Sequence, residues 1–282
     1  DTYTVNLTAS SPTDGTVYPI LGSNTVSDQA TNTGPASDAN GDTIQIDRTK
    51  PTAILTAPSS PTNSSTLSYT LTFSESVSGV ASGDFVVGGT ASGWSVQSVS
   101  GTGDTYTVVL GGGGEGVVDL SMNADAAQDQ AGNIGPSSST EASSVIIDRT
   151  APTASWTPPS SPTKSSTLSY TLTFSEEVSG ISFSDFSNQG TATGCNFTPS
   201  AVHGSSITVI VTDCSEGTVV ARLASGSVTD QAGNTGPASN TDASSVTIDR
   251  TAPSASWTAI PSSPSNSSSL SYTLTFTEDV SG

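Results

Sequence analysis

The chain has 282 residues, of which 25 are acidic and only 6 are basic, and its formal net charge is −19. This charge argues strongly against a nucleic-acid binder, which must neutralise phosphates, and against an anionic membrane surface as partner. The surplus carboxylates could instead serve a divalent cation. Regular placements of Tyr, Leu, Phe and Val argue against disorder.

Several motifs recur along the chain at a step of 101 residues. They are DQAGN at 129–133 and 230–234, Asp-Arg-Thr at 47–49, 148–150 and 249–251, Gly-Pro at 34–35, 135–136 and 236–237, and YTLTF beginning at Tyr69, Tyr170 and Tyr272. The last YTLTF step is one residue longer because Ile260 is extra. A fixed period with this much identity indicates tandem copies of one small domain.

The repeat length predicts four segments. They are the C-terminal part of a repeat at 1–47, complete repeats at 48–148 and 149–249, and the N-terminal part of a repeat at 250–282. Both ends resemble cuts through a longer protein, so the segment is expected to interact with its neighbouring repeats. We expect no direct membrane insertion of this segment.

The first complete repeat contains short stretches typical of strands. In LSYTLTF, Leu67, Tyr69, Leu71 and Phe73 alternate with Ser and Thr, which predicts a strand with one buried face. Similar strands are predicted at AILT, DFVV, WSVQSV, TYTVVL, VVDLSM and SVIID, with Gly, Ser, Asn or Pro between them. Seven short strands in about 100 residues favour an all-β, immunoglobulin-like β-sandwich, with a closed barrel as the alternative.

Cys195 and Cys214 are the only cysteines. Between them, NFTPSAV and SITVIVT predict two strands around a turn at His203-Gly204-Ser205, so the cysteines lie opposite each other across a hairpin. This predicts a disulfide, which contributes about 3 kcal/mol for a loop of this size. Two buried free thiols are the alternative. A disulfide would place the chain outside the reducing cytosol.

The sequence also resembles a known family. YTLTFSE, VSG, a following Asp-Phe, DQAGN and IDRTAP, in this order and at one spacing, resemble the bacterial immunoglobulin-like (Big) domains that occur in tandem along large surface proteins and adhesins. Departures are Lys50 in place of Ala, DQATN at 28–32, and a cysteine pair in one repeat only. The resemblance implies the same sandwich fold, repeats that have diverged, and a bacterial cell-surface location.

Acidic side chains are expected to converge at each junction between repeats. In immunoglobulin order, LSYTLTF is strand B, the turn with Glu75 is the B–C loop, and Asp129 lies in the F–G loop at the same end. The converging residues are Asp47, Glu75 and Asp129 with Asn133, then Asp148, Glu176, Glu177 and Asp230 with Asn234, and finally Asp249, Glu278 and Asp279.

Converging carboxylates repel one another unless a positive charge lies among them. One candidate is Ca²⁺, which takes six to eight oxygen ligands. The other is the arginine of each Asp-Arg-Thr, because Arg48, Arg149 and Arg250 are half of the basic residues. Plain turn formation by Asp and Asn is the third interpretation. The sequence therefore predicts either calcium sites or Arg–carboxylate networks at the junctions.

The sequence predicts a structural role and no enzyme. His203 is the only histidine, and its counterpart in the preceding repeat is Thr102, so no Ser–His–acid triad is indicated. The favoured function is an extracellular stalk or spacer of a large bacterial surface protein, with an adhesin as the expected parent, because repeat arrays add length unit by unit. A self-assembling surface filament or layer is the alternative, and a carbohydrate- or protein-binding module is the third.

Overall fold

The structure, a computed structural model, describes residues 1–8 and 13–281. The chain divides into two compact units, Asp1–Arg149 and Thr150–Gly282. This boundary lies one residue after the predicted end of the first complete repeat at 148. The finer division into four segments stays a prediction.

The first unit contains fifteen short or medium strands in the part that is described. They are β1 (Gly15–Val17), β2 (Ile20–Leu21), β3 (Val26–Ser27), β4 (Thr33–Gly34), β5 (Ala39–Asn40), β6 (Ile44–Ile46), β7 (Ala53–Thr56), β8 (Thr66–Ser78), β9 (Phe85–Gly89), β10 (Ser95–Gly111), β11 (Gly116–Met122), β12 (Ala127–Asp129), β13 (Ile134–Gly135), β14 (Thr140–Glu141) and β15 (Val145–Ile147).

The second unit repeats much of this order. Its strands are β16 (Ala154–Thr157), β17 (Thr167–Ser179), β18 (Phe186–Asn188), β19 (Asn196–Pro199), β20 (His203–Thr212), β21 (Gly217–Val219), β22 (Ala221–Leu223), β23 (Val228–Asp230), β24 (Thr235–Gly236), β25 (Thr241–Asp242), β26 (Val246–Ile248), β27 (Ala255–Ala259) and β28 (Thr273–Phe276). In the described residues, helical structure is limited to 3₁₀ turns at Ser82–Asp84 and Phe183–Asp185, and no helix long and apolar enough to cross a membrane is found.

Two layers of strands form a sandwich within each complete repeat. In the first unit, β7, β8 and β10 belong to one sheet, and β9, β11, β14 and β15 belong to the other. In the second unit the corresponding first sheet has the order β19, β20, β17, β23, β24, with β16 paired to β17. This is the pairing of strands A, B, D and E against C, F and G in an immunoglobulin-like sandwich. The predicted all-β fold is confirmed.

The sandwich cores are built from the inward positions of alternating strands. The four apolar side chains of β8 that were predicted to face inward are all at most 4% exposed, and so are their counterparts in β17. These residues are Leu67, Tyr69, Leu71 and Phe73, then Leu168, Tyr170, Leu172 and Phe174. Intervening Ser and Thr residues of β8 face outward. The sequence alternation therefore defines which face of each long strand is buried.

The structure corrects two local predictions. Glu75 was expected in the B–C turn, but it lies within β8, which continues to Ser78. His203 was expected at a hairpin tip, but it is the first residue of β20 and pairs with Ser179. In both cases the strand is longer than the apolar alternation indicates, because backbone pairing with a neighbouring strand extends it through polar residues.

The predicted disulfide between Cys195 and Cys214 is confirmed. Cys195 immediately precedes β19, Cys214 follows the end of β20, and these two strands pair with Asn196 opposite Thr212. The bridge therefore closes the open end of this hairpin.

Candidate functional site

The DQAGN motif forms a tight hairpin between β12 and β13. The Asp129 carboxylate accepts hydrogen bonds from the backbone N–H of Asn133 at 2.8 Å and from its side-chain Nδ2 at 2.7 Å. The Asn133 carbonyl accepts the Asp129 N–H at 3.1 Å. The same Asp–Asn pattern occurs at Asp230 and Asn234, with distances of 2.7 and 2.8 Å. Local turn chemistry therefore explains why the Asp and the Asn of the motif recur.

The backbone conformation of the turn explains the glycine of the motif. Gly132 has a φ of 96° and Gly233 a φ of 94°, a region that glycine adopts without a steric penalty. In the divergent copy, Thr31 occupies this position with a φ of 66°, and Asn32 still bonds Asp28 in the same way. The turn is therefore kept even where glycine is replaced.

Three carboxylates meet in the first unit, and we call them the first acidic group. Asp47, Glu75 and Asp129 each offer an oxygen within 4.8 Å of the others. Each comes from a different segment: Asp47 follows β6, Glu75 lies in β8, and Asp129 ends β12. β12 is held beside β8 because Gln128 and Asp129 pair with its last two residues. The sequence correctly predicted that these three segments converge.

The electrostatics of the first acidic group are unequal. Partial burial, followed by the nearby charges of Asp129, Asp47 and Asp14, raises the pKa of Glu75. Asp129 is buried, which alone would raise its pKa, but the hydrogen bonds from Asn133, Gly132 and Ala131 outweigh this and lower it. The fold therefore disfavours the charged form of Glu75 and favours the charged form of Asp129.

The second unit has a corresponding pair. Glu176 in β17 and Asp230 in β23 each offer an oxygen within 4.8 Å of the other. Asp148, the repeat equivalent of Asp47, is the next-to-last residue of the first unit. The residues that were also predicted as ligands but belong neither to the first acidic group nor to this pair are Glu177, Asp249, Glu278 and Asp279.

The asparagines of the motif act as donors in this arrangement. Asn133 directs Nδ2 to the carboxylate of Asp129 and to the backbone carbonyl of Asp47, the latter at 3.2 Å. Asn133 was predicted as an oxygen ligand of the junction, and so was Asn234, but each turns its amide nitrogen towards the carboxylate. Their observed role is to hold the acidic residues in place.

The arginines of Asp-Arg-Thr point to other partners. Arg149 donates from Nε, Nη1 and Nη2 to the carbonyls of Asn63, Gly113 and Ser64, at 3.2, 3.0 and 2.9 Å. Its guanidinium also lies 5.7 Å from the ring centroid of Trp94. Within the described part of the first unit, no ion pair joins Arg48 or Arg149 to the first acidic group. Among the described residues, therefore, neither arginine lies at the centre of the first acidic group as an ion-pair partner.

A second acidic position binds the backbone of each Asp-Arg-Thr. The carboxylates of Asp14, Glu115 and Glu216 accept the N–H of Arg48, Arg149 and Arg250 at 2.7, 2.7 and 2.6 Å. The hydroxyl of Thr49 donates to Asp14, and that of Thr251 donates to Glu216. We call each acid, with the Asp-Arg-Thr that it binds, a linker clamp.

Sequence reasoning missed the acids of the linker clamp. The available signal was an acidic residue followed by glycine at Asp14-Gly15, Glu115-Gly116 and Glu216-Gly217, which keeps the same 101-residue step. The side chain changes from Asp to Glu between copies, so the position does not appear in a search for identical motifs.

The linker in the first unit is bound on both sides. On one side, Asp14 binds the backbone of Arg48 and the hydroxyl of Thr49. On the other side, Asn133 binds the carbonyl of Asp47. Lys50 adds an exposed ion pair to Asp125 at 3.5 Å, which contributes little on its own. Hydrogen bonds therefore restrain the three-residue linker from both flanking segments without any metal.

The first acidic group also has the chemistry of a hard-cation site. Its ligand atoms are all carboxylate oxygens, with no histidine or cysteine, and Ca²⁺ prefers such oxygens whereas zinc prefers nitrogen or sulfur. Comparison with models of known protein families gives no match, and comparison with curated proteins gives none either.

Proposed function

We propose that the chain is a stalk or spacer segment of an extracellular bacterial surface protein, built from tandem immunoglobulin-like repeats. The observation that carries this proposal is the linker between residues 47 and 49, which is hydrogen-bonded to Asp14 on one side and to Asn133 on the other. A linker restrained in this way limits bending at the junction. Limited bending is what a spacer needs in order to hold a distal part away from a surface.

Calcium is the second element of the proposal. Ca²⁺ bound by Asp47, Glu75 and Asp129 would offset the repulsion among their charges and cross-link the linker to two strands of the following sandwich. The raised pKa of Glu75 supports a bound cation, because it reflects partial burial and the repulsion from neighbouring carboxylates that a positive charge would offset. Within the second unit, Glu176 and Asp230 are the corresponding ligands that we propose.

The extracellular location is supported by the disulfide between Cys195 and Cys214. Disulfides persist in oxidising environments such as the cell exterior. An adhesin as the parent protein, and a surface location, follow from the resemblance of the motifs to bacterial immunoglobulin-like domains and stay part of the proposal.

The length of engineered arrays tests the spacer function. A chain with a second copy of 149–249 inserted should remain monomeric by light scattering, and small-angle scattering should show a maximum dimension that grows by a constant increment per inserted copy. Concentration-dependent polymers would instead support the filament. A maximum dimension that does not grow regularly with added copies would contradict the spacer.

A further inference from the structure

The first and last segments of each complete sandwich are paired directly with each other. Thr62, in the connection between β7 and β8, forms a parallel bridge with Ile147 of β15. The N–H of Thr62 donates to the carbonyl of Ile146 at 3.0 Å, and its carbonyl accepts the N–H of Asp148 at 3.1 Å. Ser60 Oγ accepts the N–H of Ile146 at 2.9 Å. We call these three bonds the parallel patch.

The second sandwich has the same patch. Thr163 forms a parallel bridge with Ile248, donates to the carbonyl of Thr247 at 2.9 Å and accepts the N–H of Asp249 at 3.0 Å. Ser161 Oγ accepts the N–H of Thr247 at 2.9 Å. An identical set of bonds in two diverged repeats indicates a shared structural requirement.

The linker clamp reinforces the parallel patch. Arg149 lies two residues after the end of β15 and binds the carbonyls of Asn63 and Ser64, which come just after Thr62. Its third bond reaches Gly113 in the loop before β11. Arg250 makes the equivalent bonds to Ser165 and Cys214, at 3.2 and 3.1 Å. Each arginine thus ties the exit of a sandwich to the segment that begins it.

The chain direction determines how these bonds carry load. Tension on a stalk pulls the entering segment and the leaving segment of each sandwich in opposite directions. The two paired segments run parallel, so the tension pulls them past each other along their length. Their hydrogen bonds are therefore loaded in shear at the same time and do not open one after another. We propose that the parallel patch and its arginine are the load-bearing element of each sandwich. This inference rests on the proposed stalk function, because a stalk that holds a distal part away from a surface has to resist tension along its length.

Single-molecule stretching of the whole chain by its two ends tests the inference. Without reductant, the intact disulfide prevents the chain between its two cysteines, which are 19 residues apart in sequence, from being extended. Unfolding of the second sandwich should therefore lengthen the chain by about 60 Å less than unfolding of the first. Each rupture can therefore be assigned to one sandwich. Arg149→Ala should raise the unfolding rate of the first sandwich at constant force about tenfold, the factor expected for about 1.4 kcal/mol, and leave the second unchanged.

Matched variants separate load bearing from general stability. Arg222→Ala removes a half-buried arginine that is paired with Asp242 away from the parallel patch, and it should leave the unfolding rate of the second sandwich under force unchanged, whereas Arg250→Ala should raise it. Val108→Ala weakens the first core and should lower the melting temperature more than Arg149→Ala does, yet accelerate forced unfolding less. Ser60→Ala replaces Arg149→Ala if the latter fails to fold.

Two outcomes would overturn the inference. One is an unfolding rate under force for Arg149→Ala, or for Ser60→Ala in its place, equal to that of the unaltered chain. The other is a Val108→Ala variant that unfolds faster under force than the patch variant. Neither outcome bears on whether added repeats lengthen the particle, so the load-bearing inference and the spacer function can fail separately.

Discussion

The indole ring of Trp94 covers Gly113 so closely that any side chain at residue 113 would overlap ring atom Cδ1. Nε1 of the same ring donates to the carbonyl of Gly114 at 3.0 Å. In the next repeat, Cys195 occupies the position of Trp94 and Cys214 that of Gly113. The two complete repeats therefore join the same pair of loops, one by packing and the other by a covalent bond.

Gly113→Ala is expected to destabilise the first sandwich by about 1–3 kcal/mol, because the new methyl group must displace Trp94 and because the backbone φ of 84° suits glycine. Thermal unfolding of the whole chain would measure the change. Gly114→Ala is the matched control, since the nearest atoms to a side chain there lie 3.9 Å away. Equal melting temperatures for the two variants would contradict this reading of the packing.

Replacing both cysteines by serine should destabilise the second sandwich by about 3 kcal/mol, because the unfolded chain regains the freedom of the closed loop. The first sandwich has no cysteine, so its own unfolding transition should not move. Denaturant unfolding followed by a probe in each sandwich would resolve the two transitions. A loss shared equally by both would show that they do not unfold independently.

Glu75→Gln should have opposite effects with and without calcium. In EGTA at neutral pH the variant should melt higher, because it removes a carboxylate whose pKa is raised in the fold and whose charge opposes folding. That gain should fade as the pH falls through the raised pKa of Glu75 towards the ordinary value of 4.5, and it should be absent below 4.5, where Glu75 is protonated in both states. In calcium at a hundredfold excess over Kd, only the unaltered chain should gain about 2.7 kcal/mol.

The control for this experiment is Glu177→Gln, because Glu177 lies beside Glu176 but belongs neither to the first acidic group nor to the Glu176–Asp230 pair. It should leave both the EGTA and the calcium melting curves in place. If calcium raises the melting temperature of Glu75→Gln as much as that of the unaltered chain, the proposed calcium site is wrong. The raised pKa of Glu75 would still predict the gain in EGTA.

Asn133→Ala should destabilise the first unit by about 1–3 kcal/mol, because it leaves the buried Asp129 carboxylate with fewer donors. It also removes the bond to the Asp47 carbonyl, so bending at the linker should increase in small-angle scattering. Asn63→Ala is the control, since Asn63 contributes its backbone carbonyl to Arg149. An unchanged melting temperature for Asn133→Ala would exclude a role for this amide.

Tyr69→Phe should stabilise the first sandwich by about 1 kcal/mol. The Tyr69 hydroxyl is buried without a hydrogen-bond partner in the described structure, and burial, followed by the charge of Asp119, raises its pKa to about 12. Tyr170 occupies the same place in the second sandwich, and its hydroxyl donates to the Val219 carbonyl at 3.4 Å. Tyr170→Phe should therefore give no gain, and a loss in both variants would contradict the argument.

The fold could be predicted because the alternation of apolar and polar residues within a single short segment is enough to indicate a strand. Leu67 and Tyr69 alternate with Ser and Thr, and a strand with that pattern has one face to bury. The convergence of Asp47 and Asp129 followed from strand order alone, since the immunoglobulin arrangement brings linker and F–G loop to one end. The disulfide followed from hairpin geometry.

The arginine partners could not be predicted, because they are backbone carbonyls. Asn63 and Gly113 offer the same carbonyl whatever their side chains, so no residue type marks them as acceptors for Arg149. The strand position of Glu75 was missed for a related reason, since polar residues at the end of a strand are retained by backbone pairing and not by a buried face.

The linker clamp also determines which stretch of sequence can be copied as a module. Arg48 and Thr49 are bonded to Asp14, which precedes them, so an isolated repeat that begins at 48 lacks the acid that binds them. A copied stretch that begins at Lys50 and ends at Thr150 carries its own Glu115 and the arginine that it binds. A single repeat that is cut just after the threonine of two successive Asp-Arg-Thr motifs therefore keeps one complete clamp, whereas a repeat cut before the arginine loses it.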